Sequence, residues 1–354
     1  MLTGCWSNRP VEFRAIVLMM GISPAPHHQL RLTVQIPTRA GLTSLTGGSS
    51  TSSGRQSFYT LSATGPTLGM ALNRIQSQVQ SDVYLTQTRV IVLSCALDAQ
   101  QFGLAERWLE RMGPMDKTAY IVASASARKI LSASPAQGGL PSLALTGGFG
   151  CAGCQTTFFR QQEWNIETAI ASPGTSIWIP YVTAVRSGFQ GNRVAIYDGF
   201  RPALILSPEE TTVFGYLLGR TVKGNLAFHV GRQQVGIRTI TGHPHVTTIA
   251  GNGRIQIRLT LNLQGTLDTW NGPALTPTVI HRIAQSVDQR LATQAAALVR
   301  RFQAQGLDPD GWITPVIWRS RQRLGSTAQW QPAFRHAAVT VRVRFHFIDV
   351  GDSY

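Results

Sequence analysis

The chain has 354 residues, with 32 Lys and Arg against 17 Asp and Glu for a net charge of +15. An apolar fraction of 43% with only 14% charged residues excludes a disordered protein, and the length asks for roughly two or three domains. The longest apolar stretch, Ala15 to Met20 extended by Gly21 and Ile22, falls well short of the about 20 residues of a membrane-spanning helix.

The positive charge does not point to nucleic acid. Lys117, Lys129 and Lys223 are the only lysines, and the arginines are scattered along the chain without forming a basic arm or a basic-aromatic strip. A coding bias toward arginine explains the skew. The same charge suits a surface lying within a Debye length of anionic lipid headgroups.

In chain order, Leu30, Leu32, Val34 and Ile36 alternate with Arg31, Thr33 and Gln35, which predicts a half-buried strand. His27 and His28, just before it, read as turn residues. Residues 39–57 are rich in Gly, Ser and Thr and read as a long loop. From Pro66 onward, Leu68, Leu72, Ile75 and Val79 share a helical stripe. Cys95 sits in the apolar run Val90 to Leu97 and reads as a small buried hydrophobe. Leu104, Trp108 and Met112 predict a second, shorter helix.

Residues 132–154 are loose in composition and read as a linker, with Leu145 to Gly150 as loop. Cys151 and Cys154 lie at its end. They lack the second pair that a zinc site needs and the strand-to-helix setting of a redox motif, leaving either a local disulfide or two thiols. Trp178 alternates with Ile177 and Ile179 and reads as core. Ser207-Pro208-Glu209-Glu210 has the form of a capping box opening a helix that carries Val213, Tyr216 and Leu217. His243-Pro244-His245 reads as a solvated hairpin tip more readily than as a metal site.

Further on, Ile255 to Leu263 alternates as a strand, and Ile280, Ile283, Val287, Leu291, Leu298 and Phe302 predict a long helix over 278–305, entered at Pro277 and stopped at Gly306. Asp308, Asp310 and Trp312 form a polar-aromatic corner that reads as a turn made by Pro309 and Gly311. Trp312 and Trp330, beside turns, have an interface as their second reading. Val339 to Phe347 is the last alternating strand. Strands and helices mix without a β-α-β rhythm, so the expected class is α+β: three small domains of mixed or antiparallel sheets packed with helices. The expected limits are a lipobox remnant at 1–5, an N-terminal domain at 6–131, a linker at 132–154, a middle domain at 155–220 and a C-terminal domain at 221–354. No Gly-x-Ser-x-Gly motif, metal-ligand spacing or glycine-rich phosphate loop occurs, so no catalytic residue, metal or cofactor is expected.

Leu2-Thr3-Gly4-Cys5-Trp6, Val11 to Val17, Met20-Gly21-Ile22 and Leu30 to Ile36 together resemble the opening of the Ger(x)C family, the C-type lipoprotein subunits of spore germinant receptors. Ile177-Trp178-Ile179-Pro180, Val194 to Asp198, the Ser207 helix and the closing Trp330 to Gly351 extend the likeness over nearly the whole chain. The resemblance implies a non-enzymatic subunit on the outer surface of the inner spore membrane. Cys5 would carry the lipid, a diacylglyceryl group with palmitate-type chains. Integral-membrane A- and B-type receptor subunits would be the partners, with no nucleic acid among them. Two features depart from the family: the Cys151/Cys154 pair, and the absence of phenylalanine-glycine repetition in Asp310-Gly311-Trp312-Ile313. A lipobox follows a basic and an apolar segment. Four residues precede Cys5 here, so the sequence as written is expected to need a signal segment for export and lipidation. An exported binding protein for an amino acid or peptide is the alternative. A hydrolase assembled from distant residues ranks last.

Overall fold

Where apolar side chains recur at every second position the chain extends into sheets, and where they recur at three and four it coils into helices laid on them. The computed structural model describes residues 13–39, 41, 57–112, 115–136, 138–151, 158–251, 254–319 and 326–350. Within them the N-terminal half supplies β1 (Arg14–Ile16), β2 (Met19–Ala25), β3 (Gln29–Pro37), β4 (Phe58–Gly65), β5 (Asp82–Tyr84), β6 (Val90–Ser94), β7 (Tyr120–Ser124), β8 (Trp178–Val185), β9 (Gly188–Asp198) and β10 (Arg201–Ile205). Eight of these form one mixed sheet in the order β10-β9-β8-β7-β6-β2-β3-β4. The run β8-β7-β6-β2 is parallel and the flanks are antiparallel. β1 and β5 make a separate parallel pair.

Helices cover both faces of the large sheet. On one side lie α1 (Leu68–Gln76), α2 (Ala99–Arg111) and α5 (Glu163–Ala171); on the other lie α3 (Ala127–Leu131) and α4 (Pro141–Gly150). Successive residues of β6 therefore enter opposite cores, Ile91 and Leu93 one and Val90 and Val92 the other. A sheet wrapped on both faces favours such unbroken apolar runs. The half-buried strand expected at 30–36 is accordingly buried on both sides. Thr33 and Gln35 are buried with the leucines, and Gln35 Nε2 donates to the Leu131 carbonyl at 2.7 Å. Gly21 permits the close approach, since a Cβ there would stand 2.9 Å from Leu131 Cδ1.

The C-terminal half contributes α6 (Pro208–Leu217), β11 (Val222–Val230), β12 (Gln233–Gly251), β13 (Arg254–Trp270), α7 (Pro277–Gln305), α8 (Thr314–Arg319), α9 (Thr327–Arg335) and β14 (Ala338–Asp349). Its sheet runs β11-β12-β13-β14, antiparallel until the last pair, which is parallel because α7 carries the chain back across the sheet. Ile257, Leu259, Leu261 and Leu263 of β13 are buried beneath Ile283, Val287, Leu291, Leu298 and Phe302 of α7. The helix limits follow the sequence signals. Thr276 accepts from the Val279 N–H, Pro277 occupies the first turn, and Gly306 at φ 70° lets the Leu307 N–H reach the Phe302 carbonyl. Ser207 and Glu210 complete a reciprocal capping box at α6, and Glu210 also pairs with Arg301 of α7.

The fold is α+β, with mixed and antiparallel sheets packed with helices as the patterning predicts, and three sheets occur among the described residues. Local expectations fail at identifiable points. Leu145 to Gly150 is helical, its glycines held in α4 by burial of Leu145 and Phe149 against the sheet. His243-Pro244-His245 lies within β12 and not at a hairpin tip. Pairing with β11 ends at Ile240, so among the described residues no further strand lies beside Pro244 on that side. The helix expected from Leu104, Trp108 and Met112 is present as α2, with these three half-buried against the core beside the buried Phe102, Ala105, Glu106 and Leu109. Trp312 and Trp330 are buried in the C-terminal core, which removes them as interface anchors.

Candidate functional site

Of the residues singled out by the sequence, Cys5 and Cys154 lie outside the described residues. Cys151 caps the C-terminus of α4 and is disulfide-bonded. No described helix is long and apolar enough to cross a membrane. His27 and His28 do make the turn between β2 and β3, in left-handed backbone at φ 58° and 53°. Cys95 is half-buried, with its thiol 3.9 Å from the Tyr197 hydroxyl.

The Asp308 corner is a turn, but a buried one that joins the two halves of the molecule. After Gly306 the chain folds through Pro309 and Gly311 into α8. Asp308 is fully buried, and its backbone N–H donates to Ser176 Oγ at 3.0 Å while its carbonyl accepts from the Ser176 N–H at 2.7 Å. Its carboxylate Oδ2 accepts from the Ile313 N–H at 2.8 Å. Thr314 Oγ1 donates to the Pro173 carbonyl, and Gly174, at φ 86°, packs where a Cβ would meet Ile317 at 2.3 Å. Residues 173–176, which lead into β8, are thus stitched to the start of α8. Burial pushes Asp308 up to about 7, partly opposed by the N–H groups of Ile313 and Trp312. Asp310, though the residue is exposed, rises to about 6 because the surrounding protein partly desolvates its carboxyl, opposed by the Trp312 indole N–H at 2.8 Å and by the charge of Arg220. Arg220, Asp310, Asn165 and Thr175 line an open polar cleft of about 270 Å³ beside this corner.

A second polar constellation is assembled by the fold from distant parts of the chain. Lys117 Nζ donates to the Leu109 carbonyl at 3.2 Å, to Glu163 Oε1 at 3.0 Å and to Glu167 Oε1. Glu106 reaches the same place from α2, and oxygens of the three carboxylates lie within 4.8 Å of one another. Glu163 is fully buried and Glu106 is 6% exposed. Burial, reinforced by the charges of Glu163 and Glu167, pushes Glu106 up to about 7. Glu163 also rises to about 7, burial outweighing the attraction of Lys117. One signal for this group was present: Glu106 falls on the apolar stripe of its helix, four residues after Phe102 and three before Leu109. Nothing local ties it to Glu163, which belongs to another helix.

Comparison with known proteins gives a consistent answer. The family model described as the spore germination protein N-terminal domain matches residues 7–184, and the model described as spore germination B3/GerAC like, C-terminal, matches residues 192–351. YfkR of Bacillus subtilis (strain 168), named for spore germination, is 29% identical over 93 residues, 26% of this chain and 24% of that protein. That alignment thus spans about a quarter of the relative's length. The crystal structure of the GerBC protein matches with a TM-score of 0.58 at 14% identity, covering 93% of this chain and 96% of that one. At that identity the likeness is one of fold.

Proposed function

This chain belongs to the GerAC/GerBC-like family of spore germination proteins, and on that premise we propose that it is the lipid-anchored subunit of a nutrient germinant receptor, acting as a structural and interaction component and not as an enzyme. The observation that carries this reading is the extent of the match, which takes in both halves of the chain in order. Cys5 is the anchoring residue, acylated on the outer surface of the inner spore membrane. Its partners are the integral-membrane A- and B-type subunits of the receptor. One acyl chain gives marginal attachment and a second contribution makes it stable. A diacylglyceryl cysteine supplies two chains, and the net charge of +15 adds attraction to anionic headgroups. The test is fractionation of the chain expressed behind a lipoprotein signal segment. Wild type is expected in the membrane fraction and the detergent phase, and Cys5→Ala in the aqueous phase. Retention of Cys5→Ala in the detergent phase would end the lipid-anchor reading.

The polar cleft beside Asp310 and Arg220 favours one alternative, an exported binder of amino acids or peptides, because a carboxylate and a guanidinium face the same opening. A thermal-shift screen of the purified chain against amino acids is expected to be flat for the structural subunit. A saturable rise in Tm that is lost in Asp310→Asn would favour the binder.

A further inference from the structure

Lys117 stands in a cage of oxygens that exceeds its own needs. Its three N–H donors are satisfied by the Leu109 carbonyl, Glu163 and Glu167. None is left for Glu106, a residue that is nonetheless only 6% exposed at its position on the buried stripe of α2. Glu106 Oε2 and Glu163 Oε2 are both buried and have no hydrogen-bond partner among the described residues. Three carboxylates thus gather around one ammonium, and two of their oxygens are buried with no hydrogen bond to accept. A buried carboxyl group is tolerated only when paired, hydrogen-bonded, bound to a metal or neutralised by a proton.

We infer that Glu106, Glu163 and Glu167 form a binding site for a hard divalent cation, which Lys117 holds closed by placing its ammonium where the ion would sit. The donor set fits that chemistry: three carboxylates and the Leu109 carbonyl, all oxygen, with no histidine or thiolate in the group. A doubly charged ion matches the three carboxylates better than one ammonium does, and it would also use the two idle oxygens. The way in is through the outer members, since the side chains of Lys117 and Glu167 are 34% and 31% exposed. Lys117 has a flexible four-carbon stem and can swing to solvent as the ion enters. The raised proton affinity of Glu106 and Glu163 means that protons compete with the ion near neutrality. Occupancy would tie α2 to α5, the helix that leads directly into residues 173–176 and their attachment to the Asp308 corner. The ion would thus stiffen the approach to the junction between the two halves.

The test uses the full chain, stripped with chelator, at pH 7.5. Calcium, magnesium and manganese are titrated by calorimetry and by thermal shift, with terbium luminescence as an independent reading. One ion per chain and a rise in Tm are expected. Glu106→Gln should weaken binding at least tenfold. Lys117→Met removes the competing ammonium and should tighten binding several-fold, whereas a simple ion-pair network would only lose stability and gain no affinity. Circular dichroism establishes that each variant is folded. If Lys117→Met does not fold, the wild-type titration against Glu106→Gln decides alone. The absence of saturable binding by wild type at millimolar ion, or binding that Glu106→Gln leaves unchanged, overturns the site.

Discussion

Replacing Phe214 with alanine is expected to destabilise the protein by about 3–5 kcal/mol, the range for truncating a fully buried aromatic. Phe214 is wholly buried on α6, with its ring 5.6 Å from Trp178 at 87° and 5.9 Å from Phe302 at 80°. Both are edge-to-face contacts, each worth about 0.5–1.5 kcal/mol beyond burial. The series extends from Phe159 through Trp178, Phe214 and Phe302 to Trp312 and Phe334. It begins beside the eight-stranded sheet and ends on α9, so removing its middle ring opens a cavity between the two halves. Urea denaturation provides the measurement, with Trp318→Ala as control. Trp318 is 52% exposed, and its loss should cost clearly less than that of Phe214. Equal losses for the two variants would mean that the aromatic series does not hold the halves together.

The second large effect is a fall in stability as pH rises from about 5 to 8. Asp308, Glu106 and Glu163 lie near 7 and Asp310 near 6, all above the values of about 4 that carboxyls have in an unfolded chain. Across that window the folded state holds protons that the unfolded state has released, so stability is lost as pH rises through the folded values and levels off above them. Each unit of displacement corresponds to about 1.4 kcal/mol; Asp310 is exposed to solvent and adds little, and Glu106 and Glu163 interact, so the total is on the order of 5 kcal/mol. Asp116 and Glu209 are lowered by hydrogen bonds first of all, from Thr118 and from the Glu209 backbone respectively, and they act in the opposite sense only at more acid pH. Unfolding free energies at pH 5, 6.5 and 8, at fixed ionic strength with chelator present, provide the check. Glu106→Gln should be more stable than wild type at pH 8, by about 2 kcal/mol, and nearly equal to it at pH 5. A flat profile would show that these carboxyls ionise as freely in the folded chain as in the unfolded one.

What the sequence made legible was local. The capping box at Ser207 and Glu210, the Pro277 and Gly306 limits of α7 and the alternation of β13 are written in residues a few positions apart, and each appears in the fold as read. The Asp308 turn was legible as a turn, yet its burial was not, because burial depends on Ser176 and Pro173 far earlier in the chain. Glycine-rich α4 was missed for the same reason. Its helical state comes from the packing of Leu145 and Phe149, and its own propensity argues against it. Pro244 argued for a turn because the free side of β12 could not be anticipated. The Glu106, Lys117, Glu163 and Glu167 group is assembled from α2, α5 and the segment between α2 and β7, so only Glu106 carried any sign of it. Cys5, the anchor implied by resemblance, lies outside the described residues.

The parallel pairing of β13 with β14 has a bearing on how the molecule is made. Gln256 is partnered by Ala338, and all of α7, α8 and α9 lies between the two strands. A hairpin can close as soon as its second strand emerges, but this pair cannot. During synthesis, β13 must wait with one edge uncovered until α7, α8 and α9 have followed it, and long-range pairings of this kind are slow to form. In that interval the apolar face of β13 has α7 to cover it, but its edge has no neighbour. The protein is therefore most open to misassembly late in its production, and shortening the chain before β14 should harm folding more than the loss of one edge strand would imply.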